Sequence, residues 1–175
     1  MNLNLNRVVP WFGPVNTENM AKVTAELVKL HKEDREARIT LAMTSAGGWS
    51  SIGFSFYDLI RGMKLPLDTI GSGFVDSMGV IIFLAGEQRF VTPHTNMLIH
   101  EARRYFQDKE TVTRRDARAN QEESDLYQSF YSGIVQERTG GRIVPAKLEE
   151  MMLHNTVLNP DQMIELGIAH ELWTP

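Results

Sequence analysis

Residues 66–92, PLDTIGSGFVDSMGVIIFLAGEQRFVT, contain the pattern that decides the fold. Residues 66–70 predict a short strand, and the segment Gly71-Ser72-Gly73 follows it. Residues 78–85 are uniformly apolar, which fits a buried strand as well as a buried helix. The glycine-rich turn before this run and the Ala85-Gly86 pair after it favour a helix. Residues 89–92 then predict the next strand.

The same alternation of strands and helices extends in both directions from this stretch. Further strands are predicted at residues 7–12, 38–43, 96–99 and 168–173. Further helices are predicted at residues 52–63, 111–138 and 145–154, and after a cap at Asn16 or Thr17. The last helix has the clearest ends, with Asn159 as N-cap, Pro160 in the first turn, Gln162 completing a capping box and Gly167 after the helix. This order predicts an α/β fold with a largely parallel sheet.

The bulk composition excludes several classes of protein. The chain has 175 residues with no repeat or linker, which predicts one domain. It has no cysteine, so thiolate catalysis, cysteine-ligated zinc and disulfides are excluded. The net charge of −4 argues against nucleic acid and anionic membranes as partners. His31, His94 and His170 lack metal-ligand spacing, and we assign no metal and no cofactor.

The N-terminal residues lack the basic and apolar regions of a signal peptide, and no apolar stretch approaches the roughly 18 residues needed to span a bilayer. We therefore expect a cytoplasmic protein. The helix predicted at 111–138 is polar in its first half, which is typical of a helix that projects from the domain or packs on another subunit.

Three loops follow predicted strands at the edge of the sheet where α/β proteins bind ligands: residues 45–48, 76–79 and 99–101. Ser77 directly precedes an apolar helix, whose first N–H groups can stabilise an oxyanion. His100 ends a later strand and can act as its base. Each feature also has a simpler explanation: a serine helix cap, a hydrogen-bonded histidine and a Gly-Gly turn.

Taken together, these segments resemble ClpP, the proteolytic subunit family of the Clp protease. The similarity runs from about Arg7 to Trp173. The segments that carry it are Met43-Thr44-Ser45-Ala46-Gly47-Gly48 with Gly53 and Tyr57-Asp58, then Gly73-Phe74-Val75-Asp76-Ser77-Met78-Gly79, then Ala85-Gly86, Arg89-Phe90, Pro93 and Met97-Leu98-Ile99-His100, and finally Leu158 with Glu165-Leu166-Gly167-Ile168. In the family's serine motif, alanine stands where this chain has Asp76.

The resemblance implies a ClpP/crotonase-like fold of repeated β-β-α units in one domain, 1–175, with residues 101–139 forming a protruding handle of a strand and a long helix. It also implies a serine endopeptidase. Ser77 would be the nucleophile, His100 the general base, and the backbone N–H groups of Gly48 and Met78 the oxyanion hole. A peptide or an unfolded protein would be the substrate.

The third catalytic position departs from the family pattern. Where the family has an aspartate, the alignment places Asn155, with His154 and Glu150 as alternatives. An asparagine can accept a hydrogen bond from a histidine ring, but it has no charge to stabilise the imidazolium. We therefore expect a slower enzyme than one with an aspartate.

The substrate-binding segment also departs from the pattern. The resemblance assigns Gly47, Glu101, Ala102 and Arg103 to substrate binding, but residues 101–106 are bulkier and more charged than the family's glycine-rich strand. This segment predicts either altered cleavage specificity or a longer strand for contact between subunits.

The resemblance further implies self-association into a ring of seven, with one ring or two left open. Thr40, Ala42 and Gly62 stand at solvent-side positions where the family has aromatic residues that dock AAA+ unfoldases, so we expect no typical Clp unfoldase partner.

Two other functions remain possible from the sequence. One is a catalytically silent ring subunit. The other is a crotonase-type acyl-CoA enzyme, for which the sequence shows no CoA site.

Overall fold

The computed structural model describes residues 3–102 and 113–174. Within these residues the strands are β1 (Val8–Phe12), β2 (Ile39–Ser45), β3 (Leu67–Val75), β4 (Arg89–Val91), β5 (Met97–Ile99), β6 (Thr156–Leu158) and β7 (Glu171–Leu172). The helices are α1 (Thr17–Glu33), α2 (Ser50–Gly62), α3 (Met78–Leu84), α4 (Arg114–Arg138), α5 (Pro145–Leu153) and α6 (Pro160–Glu165).

The main sheet has five strands in the order β1-β2-β3-β4-β7, and every neighbouring pair is parallel. Strands β5 and β6 form a separate antiparallel pair. Parallel neighbours require crossover connections, which α1, α2 and α3 supply between β1 and β4. The α/β fold with a largely parallel sheet, predicted from the alternating pattern, is confirmed.

The hydrophobic core lies between the sheet and its helices. Helix α1 buries one stripe at helical spacing, made of Met20, Val23, Leu27 and Leu30. All seven residues of α3 are buried, which explains why this segment shows no amphipathic period in the sequence. Buried and exposed residues alternate less clearly in β2 than in a strand with one solvent-facing side, because β2 is an interior strand covered on both faces.

Several predicted elements have different bounds in the structure. Strand β3 continues to Val75 rather than ending at residue 70, because it stays paired with β2 despite its glycines. The predicted strand at 168–173 is reduced to β7, since the N–H groups of Ile168 and Ala169 donate to the Met163 carbonyl and close the end of α6. Strand β6 was not predicted from the sequence.

The capping pattern of the last helix is confirmed. The Asn159 side chain accepts from the Gln162 N–H, and the Gln162 side chain accepts from the Asn159 N–H. Helix α4 begins with a similar box between Thr113 and Asp116. Its residues before Tyr131 are exposed or only partly buried, so its first half contributes no fully buried side chain.

Charged side chains are held firmly at the N-terminal edge of the main sheet. The Arg7 guanidinium donates to four backbone carbonyls, which belong to Leu30, Asp34, Ala37 and Arg38.

Two more arginines lie at this edge. At the start of β2 and β3, Arg38 forms a two-bond ion pair with the buried Asp68 and also contacts Glu87 at 3.1 Å. Arg89 of β4 donates to the carbonyls of Gly86, Arg138, Gly167 and Ile168.

The expectation that Thr40 lies on the solvent side of β2 is wrong, because Thr40 is buried. None of the helices in the described part of the chain combines the length and the apolar character that a bilayer-spanning segment needs.

Candidate active site

Ser77 lies in the sharp turn between β3 and α3, at the C-terminal edge of the sheet. Its backbone has φ 55° and ψ −125°, a left-handed conformation that is strained for a residue with a β-carbon. The Ser77 side chain makes no capping hydrogen bond to α3. A helix cap, the simplest explanation of this serine, is therefore not the role that the geometry gives it.

Backbone contacts from three elements hold this strained turn. The Ser77 N–H donates to the Leu98 carbonyl of β5 at 2.9 Å, and the Asp76 N–H donates to the Ser45 carbonyl of β2 at 2.8 Å. The Tyr131 hydroxyl of α4 donates to the Ser77 carbonyl at 3.3 Å. Strain of this kind persists only where the surroundings fix the backbone, and it is concentrated at functional sites.

The loop after β2 packs directly against Ser77. A β-carbon added to Gly47 would lie 2.6 Å from the Ser77 β-carbon, 2.9 Å from the Asp76 carbonyl oxygen and 3.0 Å from the Met78 nitrogen. Gly47 also has a φ of 85°, which favours glycine. The structure thus brings together two of the three loops predicted from the sequence, and only glycine fits where they touch.

Two N–H groups near the Ser77 turn have no acceptor among residues 3–102 and 113–174. Among the backbone and side-chain hydrogen bonds of the described residues, neither the Gly48 N–H nor the Met78 N–H is a donor. Met78 is the first residue of α3, and Gly48 directly follows the glycine that packs on Ser77. Unpaired N–H groups at such a turn are the donors that an oxyanion needs.

His100 follows β5, two residues after Leu98, to which the Ser77 backbone is bonded. Its Nδ1 lies 2.6 Å from the Glu101 carbonyl oxygen. Because a carbonyl can only accept, Nδ1 must carry the proton, which leaves Nε2 as the basic nitrogen. Within residues 3–102 and 113–174 no hydrogen bond joins Ser77 to His100. Catalytic contacts are often long in a protein without substrate.

The register of the β5–β6 ladder, continued by one residue, puts Asn155 opposite His100. Ile99 pairs with Thr156 in the antiparallel β5–β6 ladder, so His100 and Asn155 are the next residues on the two strands. Asn155 is exposed, has a φ of 48°, and forms no hydrogen bond with His100 in the described part of the chain. His154, the C-cap of α5, and Glu150, within that helix, are also exposed and lie farther along the chain from this register position.

Asp76 directly precedes Ser77 in the serine motif, and the sequence alone predicts no role for it. Its Oδ1 accepts the Leu98 N–H at 2.8 Å. Burial raises the pKa of Asp76, while the hydrogen bond from Leu98 and the positive charge of His100 act in the opposite direction. The signal that could have identified it is the acid that stands where the similar motif has alanine.

The remaining predicted site residues lie after β5. Glu101 and Ala102 are exposed and belong to no helix or strand, and Arg103 lies outside the described residues. The described residues contain no group of three or more histidine and acidic side chains arranged to hold a metal ion.

A strained serine at the C-terminal edge of a parallel sheet, bonded through its backbone to a strand that is followed by a histidine, is typical of a hydrolase site. The comparison with known proteins identifies the family. A family model described as Clp protease matches residues 1–175, the whole sequence. The chain therefore belongs to the Clp protease family. Membership implies a peptidase, and proteins of this family generally form oligomeric rings.

Proposed function

We propose that this protein is a serine endopeptidase of the ClpP type that hydrolyses small or unfolded polypeptides inside an oligomeric ring. The observation that supports this most is the conformation of Ser77. The Ser77 side chain makes no capping bond to α3, and its strained turn contacts a glycine loop. Two N–H groups near this turn have no acceptor in the described part of the chain. A serine on such a turn has its hydroxyl free for reaction.

The proposed reaction is acyl transfer through Ser77. His100 Nε2 takes the hydroxyl proton while Oγ forms a bond to the peptide carbonyl carbon. The carbonyl oxygen becomes an oxyanion, which accepts hydrogen bonds from the Gly48 and Met78 N–H groups. The imidazolium then gives its proton to the leaving amine as the C–N bond breaks. Water repeats the sequence on the ester and restores Ser77.

The His100 ring needs an acceptor for its Nδ1–H. We propose that the Asn155 side-chain oxygen takes this role when the ring turns toward the β6 strand, and the Glu101 carbonyl holds the same proton in the present conformation. Both acceptors are neutral, so neither stabilises the imidazolium as a carboxylate would. The expected consequence is a modest turnover rate.

Substrate and subunit contacts are proposed on the same basis. Gly47, Glu101, Ala102 and Arg103 would line the bound peptide, and the apolar-poor first half of α4 would pack against other subunits of a heptameric ring.

The surface at Gly62, one of the positions compared with the family's unfoldase-docking residues, is open, because a β-carbon added there would meet no atom within 4 Å. A typical AAA+ unfoldase is therefore not expected to dock, and a complex with one at micromolar concentration would contradict this.

A second candidate is a catalytically silent ring subunit. Two observations favour it: the neutral Asn155 at the third position, and the lack of a hydrogen bond between Ser77 and His100 among the described residues.

Labelling with a fluorophosphonate serine probe, followed by intact-mass analysis, separates the two candidates. We expect one adduct on the parent chain and none on Ser77→Ala or His100→Ala. Ser55→Ala and His94→Ala are matched controls, since both side chains are exposed and lie outside the proposed site, and they should label like the parent. No adduct on a folded, assembled parent chain would contradict the peptidase and favour the silent subunit.

A further inference from the structure

Tyr131 connects helix α4 to the turn that carries Ser77. Its side chain is 8% exposed, and it is the first buried residue along α4. The Tyr131 hydroxyl lies 3.3 Å from the Ser77 carbonyl oxygen, and the Val80 N–H donates to the same oxygen at 3.0 Å. The carbonyl of the proposed nucleophile is therefore held both by its own helix, α3, and by a helix that comes much later in the chain.

The Tyr131 hydroxyl is the donor in this bond, because a carbonyl oxygen can only accept. Burial first, and the charge of Asp76 second, raise the pKa of Tyr131, so the phenol keeps its proton. The bond is thus a neutral O–H donation that leaves the Ser77 side chain out of the contact.

The second half of α4 is also bonded to the other end of α3. The Arg138 guanidinium donates to the Leu84 carbonyl at 2.9 Å and to the Gly86 carbonyl at 2.7 Å. Tyr131 contacts the beginning of α3 and Arg138 contacts its end, so this half of α4 runs alongside α3 in the same direction. Bonds at both ends fix where the Tyr131 hydroxyl lies relative to the serine turn.

The Ser77 carbonyl and the Met78 N–H belong to the same peptide group. This group is planar and trans, so its N–H points away from its carbonyl, and the two can only turn together. The Met78 N–H has no acceptor in the described part of the chain and is one of the two proposed oxyanion donors. A bond that fixes the Ser77 carbonyl therefore also fixes the direction of this N–H.

We propose that Tyr131 is a positioning residue for the oxyanion hole: by donating to the Ser77 carbonyl, its hydroxyl orients the Met78 N–H toward the developing oxyanion. This inference rests on the proposed serine peptidase function. Donation to the carbonyl also polarises the peptide group, which makes its N–H a stronger donor. Tyr131 acts through the backbone and exchanges no proton with the reacting groups.

The alternative is that the Ser77 carbonyl only gives a buried phenol the partner that most buried polar groups have. Tyr131→Phe separates the two roles, because it removes the hydroxyl and keeps the ring. The Ser77 carbonyl still accepts from Val80, so the substitution leaves no buried acceptor without a partner, and the variant should fold. Under this alternative, Tyr131→Phe would react like the parent.

The test is fluorophosphonate labelling of the full-length assembled chain over a range of probe concentrations. It separates the maximal labelling rate from the probe concentration that gives half of that rate. The loss of an oxyanion donor costs roughly 100-fold or more in rate, and the loss of a bond that only orients a donor should cost less. We expect Tyr131→Phe to lower the maximal rate on the order of ten-fold and to leave the half-saturating concentration unchanged, because the interaction acts in the transition state.

Tyr127→Phe is the matched control. Tyr127 lies one turn earlier on α4, and its hydroxyl donates to Glu123 Oε1 of the same helix at 3.0 Å. The substitution removes a tyrosine hydroxyl and one hydrogen bond from α4 without changing the contact with Ser77. It should leave both the maximal rate and the half-saturating concentration at the parental values.

The outcomes separate this inference from the proposed function. A parent chain that does not label would defeat the proposed function. A parent that labels at Ser77, together with a folded Tyr131→Phe variant of parental maximal rate, would overturn this inference and leave the peptidase standing. A higher half-saturating concentration at an unchanged maximal rate would also overturn it, since the hydroxyl would then act on probe binding.

The melting temperature shows whether Tyr131→Phe is folded. If it is not, Tyr131→Met provides the same test, because its flexible side chain can fill the space of the ring and has no hydroxyl. A folded Tyr131→Met variant should show the same loss of maximal rate, and a parental rate would overturn the inference.

Discussion

The polar groups at the two edges of the main sheet differ in whether they have hydrogen-bond partners. At the N-terminal edge, Arg7, Arg38 and Arg89 each satisfy their guanidinium groups on several carbonyls or on a buried carboxylate. At the C-terminal edge, the Gly48 and Met78 N–H groups have no acceptor within the described residues, and Ser77 is strained. One edge uses polar groups to close the fold, and the other leaves them available for a ligand.

The difference follows from what each edge must do. An arginine that donates to several carbonyls or to a buried carboxylate stabilises strand ends, and the donors used in this way are not available for chemistry. At a reactive edge, N–H groups must stay without protein acceptors, because they then can donate to the oxyanion of a transition state. A strained backbone is also typical of such a site. Substitutions at the two edges should therefore separate stability from activity.

The largest expected effect is that of Gly47→Ala at the C-terminal edge. The new β-carbon would lie 2.6 Å from the Ser77 β-carbon, and residue 47 would keep a φ unsuited to alanine, so the loop must move. A displacement of about 1 Å at a reacting group costs roughly 100-fold in rate. We expect a loss of that size in serine-probe labelling.

The matched control is Gly62→Ala, at the end of α2, where an added β-carbon meets nothing within 4 Å. It should label normally and raise the free energy of unfolding by about 0.5 kcal/mol. Equal labelling rates for Gly47→Ala and the parent would show that the glycine loop does not position Ser77.

The second effect belongs to the N-terminal edge. Arg38→Met leaves the buried Asp68 carboxylate with the Gln88 N–H as its remaining described partner. We expect a loss of about 2 kcal/mol in the free energy of unfolding, less than for a fully buried pair because Arg38 is half exposed. Urea unfolding measures this loss.

Arg38→Met combined with Asp68→Asn should recover much of the stability, because no unpaired charge remains. The labelling rate of the folded protein should not change in either variant. A labelling rate that falls in proportion to stability would show that the two edges are not independent.

The smallest effect concerns the stability of Asp76→Asn as a function of pH. Burial raises the pKa of Asp76 in the folded chain, so the folded state binds this proton more readily than the unfolded chain does. The parent therefore loses stability as the pH rises from the ordinary aspartate pKa of about 4 through the raised value, and Asp76→Asn does not.

Thermal unfolding of both proteins across that range should show the melting temperature of Asp76→Asn rising relative to the parent, then staying level above it. A relative fall with pH would mean that the folded state stabilises the charged carboxylate, contrary to the burial argument.

The sequence predicted most of the elements, but with uneven precision. The last helix was placed closely because Asn159 and Gln162 form local capping bonds that need no tertiary contact. Strand β3 was predicted too short, since its glycines weaken the local strand signal and only pairing with β2 extends it. For the site, the serine and histidine could be named from the sequence. The hydrogen bond between Asp76 and Leu98 could not, because it joins residues that are 22 positions apart and no local pattern contains it.

The sequence by itself determined the strand–helix alternation, the parallel sheet and membership in the Clp protease family, because periodicity, caps and motif spacing are local properties. Only the tertiary structure decided that Gly47 packs against Ser77 and that Ser77 is strained rather than capping α3. It also decided the β5–β6 register, which continued by one residue puts Asn155 opposite His100. Gly47 and Ser77 are 30 positions apart in the chain, and His100 and Asn155 are 55 apart, so packing between distant segments decides these arrangements and local preference does not.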